Sequence, residues 1–193
     1  MTTILYLTDL YYKASGRNYY DEDLYITSQL QSHFNILIGH PQQVLSYIDC
    51  ADGIVFRNTG PVIYYKPYFN RFVDVVKEKG IVTFNSFDGK ADMKGKDYLL
   101  QLTAEGYPVI PTVDSIDELQ LLGNTDKFVV NPKDGADSIG MKIVSRNELS
   151  ATDVTAKLIQ PYIDFAYEVS FYYLNNQFQY ALYAPDKQKR WQL

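Results

Sequence analysis

Four short apolar runs limit what this chain can fold into more than any other feature. They are ILYL (4–7), NILIG (35–39), DGIVF (52–56) and GIVTFN (80–85), and helical spacings lie between them. Before the fourth run, Tyr65, Phe69, Phe72, Val73 and Val76 share one helical face, with Asp74, Lys77 and Glu78 opposite. Lys77–Lys79 and Gly80 then carry the chemistry of a helix end. Leu24, Ile26, Leu30 and Phe34 give a looser helical spacing after the first run, and QQVLSYI (42–48) reads as a short helix after the second. Alternation of strand and helix with short connections predicts a parallel sheet with helices on its faces. No GxGxxG follows the first run, which argues against a dinucleotide-binding Rossmann site.

The pattern changes near residue 88. DGKADMKGK (88–96) reads as a charged linker or first turn. The chain therefore divides into an α/β unit over 1–87 and an α+β unit over 88–193. In the second unit KDYLLQLTAEGY (96–107) is helical, with Gly106 as its C-terminal cap. PVIPT (108–112) is extended. SIDE (115–118) is a capping box in which Ser115 accepts from the Glu118 amide, opening a short helix through Leu122. FVV (128–130) and MKIV (141–144) are strands joined by the loop NPKDGADSIG (131–140), and SRNE (145–148) repeats the capping box. LIQPYI (158–163) is a strand. EVSFYYL (168–174) and QFQYALY (177–183) form a hairpin around Asn175–Asn176, because asparagine tolerates the positive φ of tight turns.

Composition removes several classes of function. At 193 residues the chain is one large domain or two small ones. Lys+Arg 18 against Asp+Glu 23 gives a net charge of −5, so no basic face for duplex nucleic acid is expected. Cys50 has no partner for a disulfide or thiolate zinc site and is expected to pack as a small apolar residue. His33 and His40 flank a strand and are read as surface residues. No apolar run approaches a membrane span and no signal peptide is evident, which makes the cytoplasm the default. Lys187, Lys189 and Arg190 read as a solvated basic end.

The loop 131–140 is the most chemical segment. Gly135, Ala136, Ser138 and Gly140 are small enough for backbone amides to close on an anion, and Lys133 adds charge. It joins two strands and lacks GxxxxGK[ST], so it is a hairpin flap and not a Walker loop. Taken alone, a polar hairpin loop explains it equally well.

The order of segments resembles the ATP-grasp superfamily of carboxylate–amine ligases, such as glutathione synthetase. KDYLLQLTAEGYPVIPT (96–112) looks like that family's lysine-led helix and following strand, and FVVNPKDGADSIGM (128–141) like its glycine-rich flap. LIQPYI with AYEVSFYYLNNQFQYAL (166–182) looks like its hinge and next hairpin. The resemblance implies a Rossmann-like substrate domain at 1–87, preceding a nucleotide-binding subdomain at 88–193. It implies that Lys96 reaches the ATP phosphates, and that Gly135, Ser138 and Gly140 cover the outer two. Gln160, Tyr162 and Ile163 would line the adenine, and Glu168 would accept from the ribose hydroxyls. A vicinal diol suits a carboxylate, and a phosphate suits a compact ammonium.

Two departures bear on function. Asn131 stands where the family has a second lysine. Lys133 would share its strand face, and either substitutes for that lysine or points into water. The family's Mg²⁺ ligands follow the hairpin and have no counterpart before Leu193, so the chain is expected to be a fragment or a degenerate relative without turnover of its own. The expected ligands are ATP with Mg²⁺ and small carboxylate and amine substrates, with no nucleic acid or membrane partner; the family also includes homodimers. Arg57, after the third strand, is the candidate carboxylate receptor, although pairing with a nearby aspartate is an equal alternative. The two main readings are the ATP-binding part of a ligase acting through an acyl phosphate, and a non-catalytic nucleotide-binding module. A sugar-nucleotide transferase ranks last.

Overall fold

The computed structural model describes residues 1–14, 17–85, 87, 95–136 and 138–185. Most of the expected linker at 88–96 lies outside these, as does the basic end at Lys187, Lys189 and Arg190. β1 (Thr3–Leu7) is followed by a small hairpin of β2 (Lys13–Ala14) and β3 (Arg17–Asn18), then α1 (Tyr20–Leu30) and β4 (Asn35–Gly39). Two 3₁₀ turns, Val44–Ser46 and Ile48–Cys50, precede β5 (Gly53–Phe56); α2 (Lys66–Lys79) precedes β6 (Val82–Phe84). The strands pair in parallel in the order β4-β1-β5-β6, as the apolar runs predict.

α2 follows its pattern closely. Phe69, Phe72, Val73 and Val76 are buried, and Gly80 at φ 64° donates its N–H to Val76 and Lys77 carbonyls as a left-handed cap. These side chains pack on Leu5, Leu7, Ile54 and Phe56 of the sheet. Burying each large side chain contributes roughly 1.5–3 kcal/mol.

Several expectations are corrected. The helix expected at 42–48 is a pair of 3₁₀ turns, and β6 has 3 residues. In α1, Leu24 is exposed, whereas Asp23 and Thr27, four residues apart, are the buried stripe. An apolar-pattern reading misses a stripe whose inner members are polar. Cys50 is exposed and not packed inside.

The following elements build an antiparallel layer. α3 (Tyr98–Ala104) ends at Gly106, φ 74°, and a 3₁₀ helix spans Ile116–Leu122. β7 (Lys127–Pro132), β8 (Lys142–Ser145), α4 (Arg146–Leu149) and β9 (Lys157–Pro161) follow, with strand order β8-β7-β9. Val113, Leu122, Phe128, Val130, Leu149 and Ile159 form its core. The capping box at Ser145 and Glu148 has both of its hydrogen bonds. At Ser115 the hydroxyl accepts instead from the Asp117 amide, 3.2 Å away, because the turn winds as 3₁₀.

Met1–Pro161 form one compact unit and Tyr162–Leu193 another. In the second unit, β10 (Glu168–Leu174) and β11 (Gln177–Ala184) pair antiparallel around Asn175 and Asn176, at φ 49° and 62°. Phe171, Tyr173, Phe178 and Tyr183 are exposed on one face of this hairpin, and Tyr172, Leu174 and Tyr180 on the other. No helix among the described residues is long and apolar enough to cross a membrane.

Candidate functional site

The loop between β7 and β8 folds as a compact flap. Gly135 N–H donates to Pro132 O (3.2 Å), Ile139 N–H to Ala136 O (3.0 Å) and Met141 N–H to Ser138 O (3.2 Å). Ser138 sits at φ 61° and Gly140 at φ 75°. A Cβ on Gly140 would lie 2.9 Å from Pro132 Cγ, so that glycine serves the packing of the flap on β7 as well as its turn. Under the flap is a cavity of about 60 Å³, several times what one water needs. It is lined by Lys96, Asn131 and Pro132, with Gly135, Ala136, Ser138, Ile139 and Met141 of the flap.

Lys96 reaches this cavity through Gly95. At φ 104°, Gly95 packs so closely that a Cβ would stand 1.8 Å from the Lys133 carbonyl oxygen. The Lys96 N–H donates to that same oxygen at 3.3 Å. Sequence reading passed over Gly95 because nothing in a charged Gly-containing segment marks a close approach to a distant loop.

Lys133 does not simply point into water. It is not among the cavity-lining residues. Its Nζ donates to Asp114 Oδ2 at 2.6 Å and lies 3.6 Å from Asp97 Oδ1, and Asp114 foremost raises its pKa. Asp114 and Asp97 thus join the candidate residues, having carried no motif. Asn131 donates from Nδ2 to Gln160 Oε1 (3.4 Å), and Gln160 donates from Nε2 to the Thr112 hydroxyl (2.9 Å). Thr112 is buried, so this chain of neutral groups ties β7, β9 and the 108–113 segment together. Beyond the flap, Asp134 forms an ion pair with Lys66 of α2, and its carbonyl accepts from the Ile63 N–H (3.3 Å).

The remaining expected residues belong to the second unit. Tyr162 is half-buried and Ile163 exposed, both after β9; Glu168, the first residue of β10, is exposed.

Arg57 lies at the C-terminal end of β5. Its Nε donates to Tyr6 Oη (3.1 Å) and to Asp23 Oδ1 (3.3 Å). Asp23, 1% exposed, also accepts from Tyr6 Oη (2.8 Å) and from Thr8 Oγ1 (2.5 Å). Burial and the Asp23 carboxylate push the Tyr6 phenol far above its ordinary range, which keeps it a donor. Burial opposes the charge on Arg57, but Tyr6, Asp23 and Glu22 outweigh it and strengthen protonation. The aspartate pairing foreseen as an alternative for Arg57 is therefore present. His40, half-buried, has Nε2 at 2.9 Å from Thr59 O and packs edge-on against Tyr65.

No family model matches the chain, and no curated protein does. Solved structures do. A D-cycloserine synthetase aligns with 93% of this chain and 67% of its own, at 19% identity and TM-score 0.69. A D-alanine–D-alanine ligase from Bacillus anthracis complexed with ATP aligns with 95% and 66%, at 14% identity and TM-score 0.58. The D-alanyl-alanine synthetase A of Vibrio cholerae aligns with 94% and 65%, at 17% identity and TM-score 0.53. The chain spans about two thirds of the length of these proteins.

Proposed function

With the fold of the ATP-grasp carboxylate–amine ligases as premise, we propose that this chain is the ATP-binding part of such a ligase. The observation that carries the reading is the flap cavity, where Lys96 and Asn131 meet Gly135 and Ser138 although they are far apart in sequence. Lys96 is the cation for the phosphates, and small flap residues allow amides to approach them. The described amides of Ser138 and Gly140 take no part in the flap's own turns and are assigned to the phosphate oxygens. Tyr162, Ile163 and Glu168 are assigned to adenine and ribose on sequence order alone.

In the complete reaction a carboxylate oxygen attacks the γ-phosphorus and ADP leaves. The amine then attacks the acyl carbon, inorganic phosphate leaves, and the nitrogen loses a proton. Water would hydrolyse the acyl phosphate, so the flap's part is to exclude it. Mg²⁺ is implied by the family chemistry, but no group of three His, Cys, Asp or Glu among the described residues is placed to hold a metal ion. No step is assigned through it.

A second reading, a nucleotide-binding module without turnover, is favoured by Asn131 in the lysine position and by Lys133 being held by Asp114. Calorimetry with ADP and ATP tests both readings. Binding that Lys96→Ala weakens at least tenfold supports nucleotide binding at this cavity, and unchanged affinity in that variant overturns it. Release of ADP with carboxylate and amine present then selects the ligase over the module.

A further inference from the structure

Asp134 stands between two residues that line the flap cavity, Pro132 and Gly135, without lining it itself. Its contacts run the other way. Its carboxylate forms an ion pair with Lys66, the first residue of α2, and its carbonyl accepts from the Ile63 N–H at 3.3 Å. Lys133 beside it donates its N–H to Ala156 O (3.0 Å), and its carbonyl accepts from the Lys96 N–H (3.3 Å). Segments around residues 63–66, 95–96 and 156 thus converge on two consecutive residues at the base of the flap. Farther along, Gly135, Ile139 and Met141 donate their N–H groups within the flap itself. The flap is tied to the rest of the fold at its base and braced by its own turns above it.

Lys66 is not explained by its own helix. α2 has no side-chain cap at Tyr65 and no acidic residue in its first turn, and a cation at the positive end of a helix is unfavourable there. Asp134 supplies the missing negative charge from a remote loop. With the lysine half-exposed, the pair adds little to overall stability. What it fixes is position. The segment behind it, 58–66, is held firmly. Thr59 Oγ1 and Tyr65 Oη are 2.6 Å apart in a buried contact, His40 Nε2 lies 2.9 Å from Thr59 O, and the Asp9 N–H donates to Asn58 O at 2.8 Å. A stiff arm from the end of β5 therefore rests on the flap base.

We propose that Lys66 and Asp134 are positioning residues for the flap, and that through them occupancy of the flap cavity is coupled to the 58–66 arm. Asp134 sets where Gly135 and the residues after it stand over the cavity. A ligand that orders Gly135 and Ser138 orders Asp134 as well, and with it Ile63 and Lys66. The coupling is reciprocal, so holding the arm in place raises affinity for the ligand. Taking that ligand to be a nucleotide rests on the ligase reading; the anchoring of the flap does not. Charge alone predicts the opposite sign: a carboxylate near a phosphate site repels the ligand, and removing it would tighten binding.

The test combines ADP calorimetry with amide hydrogen exchange on the full chain. Asp134→Asn and Lys66→Ala should each weaken ADP binding by about threefold or more, and the double variant should bind no more weakly than the weaker single variant, because both break one contact. Lys66→Arg, which keeps the ion pair, should bind within about twofold of the parent. Saturating ADP should slow exchange of the parent's Ile63 N–H about tenfold, whereas the Ala51 N–H, bonded to Ile48 O within its own turn, should not respond. Asp134→Asn should abolish the Ile63 response, which a merely structural role would leave intact. Unchanged or tighter ADP binding in Asp134→Asn overturns the proposal, as does an Ile63 N–H that responds no more than Ala51; both outcomes leave the nucleotide reading standing. Lys66→Ala decides in the same way if Asp134→Asn does not fold. A parent chain that binds no ADP overturns the nucleotide reading, and this coupling with it.

Discussion

Lys133 Nζ stands 2.6 Å from Asp114 Oδ2, while Lys96, whose N–H donates to the Lys133 carbonyl, lines the flap cavity. Two lysines at the base of one loop thus have different surroundings. Lys133→Gln should lower stability by no more than about 1 kcal/mol, the range of partly exposed ion pairs, and change ADP affinity less than threefold. Lys96→Ala should lose at least tenfold in ADP affinity, about 1.4 kcal/mol, with stability near that of the parent. Denaturant titration and calorimetry on both variants check the pair.

Gly95→Ala should be far more damaging than its size suggests. The new Cβ would overlap the Lys133 carbonyl oxygen, and φ 104° is strained for any L side chain. A loss on the order of 3 kcal/mol is expected by chemical denaturation, together with loss of stabilisation by ADP.

The Ser145 capping box gives a pH-dependent prediction. Hydrogen bonds from the Ser145 N–H and hydroxyl hold the Glu148 carboxyl below its ordinary value. A depressed folded pKa means the contribution is complete above about pH 4.5 and is lost as pH falls through the folded value. Ser145→Ala should cost about 1 kcal/mol near neutrality. The gap between parent and variant melting curves should narrow in acid.

Asp23→Ala should be the costliest change in the parallel-sheet layer. It leaves the Tyr6 hydroxyl and the Arg57 charge without their buried acceptor, which typically costs about 3–5 kcal/mol. Denaturation monitored at neutral pH checks this, with Glu22→Gln at the rim expected within about 0.5 kcal/mol of the parent.

Apolar period served the fold well where burial and period agree. α2 buries the residues its 3.6-residue spacing selects, and the Asn175–Asn176 turn takes the positive φ that its residues favour. It failed at α1, where the inward residues are Asp23 and Thr27, because a polar group can be buried once it is hydrogen-bonded and a pattern cannot show its partners. At the site, the tight turn of the flap was legible from its small residues. Gly95, Asp97, Asp114 and Tyr6 were not, since each acts through a contact with a segment remote in sequence. Lys133 was visible as a charge, but its carboxylate partners were not.

The hairpin of β10 and β11 sets how this polypeptide behaves at high concentration. Rings project from both sides of a ribbon that carries one formal charge, Glu168, between residues 168 and 184. Ionic screening has almost nothing to act on there, whereas excluded salts such as sulfate raise the penalty for wetting tyrosine and phenylalanine. Ammonium sulfate should therefore drive self-association at ionic strengths where sodium chloride has no effect, and replacing Phe171 and Phe178 with serine should abolish that difference.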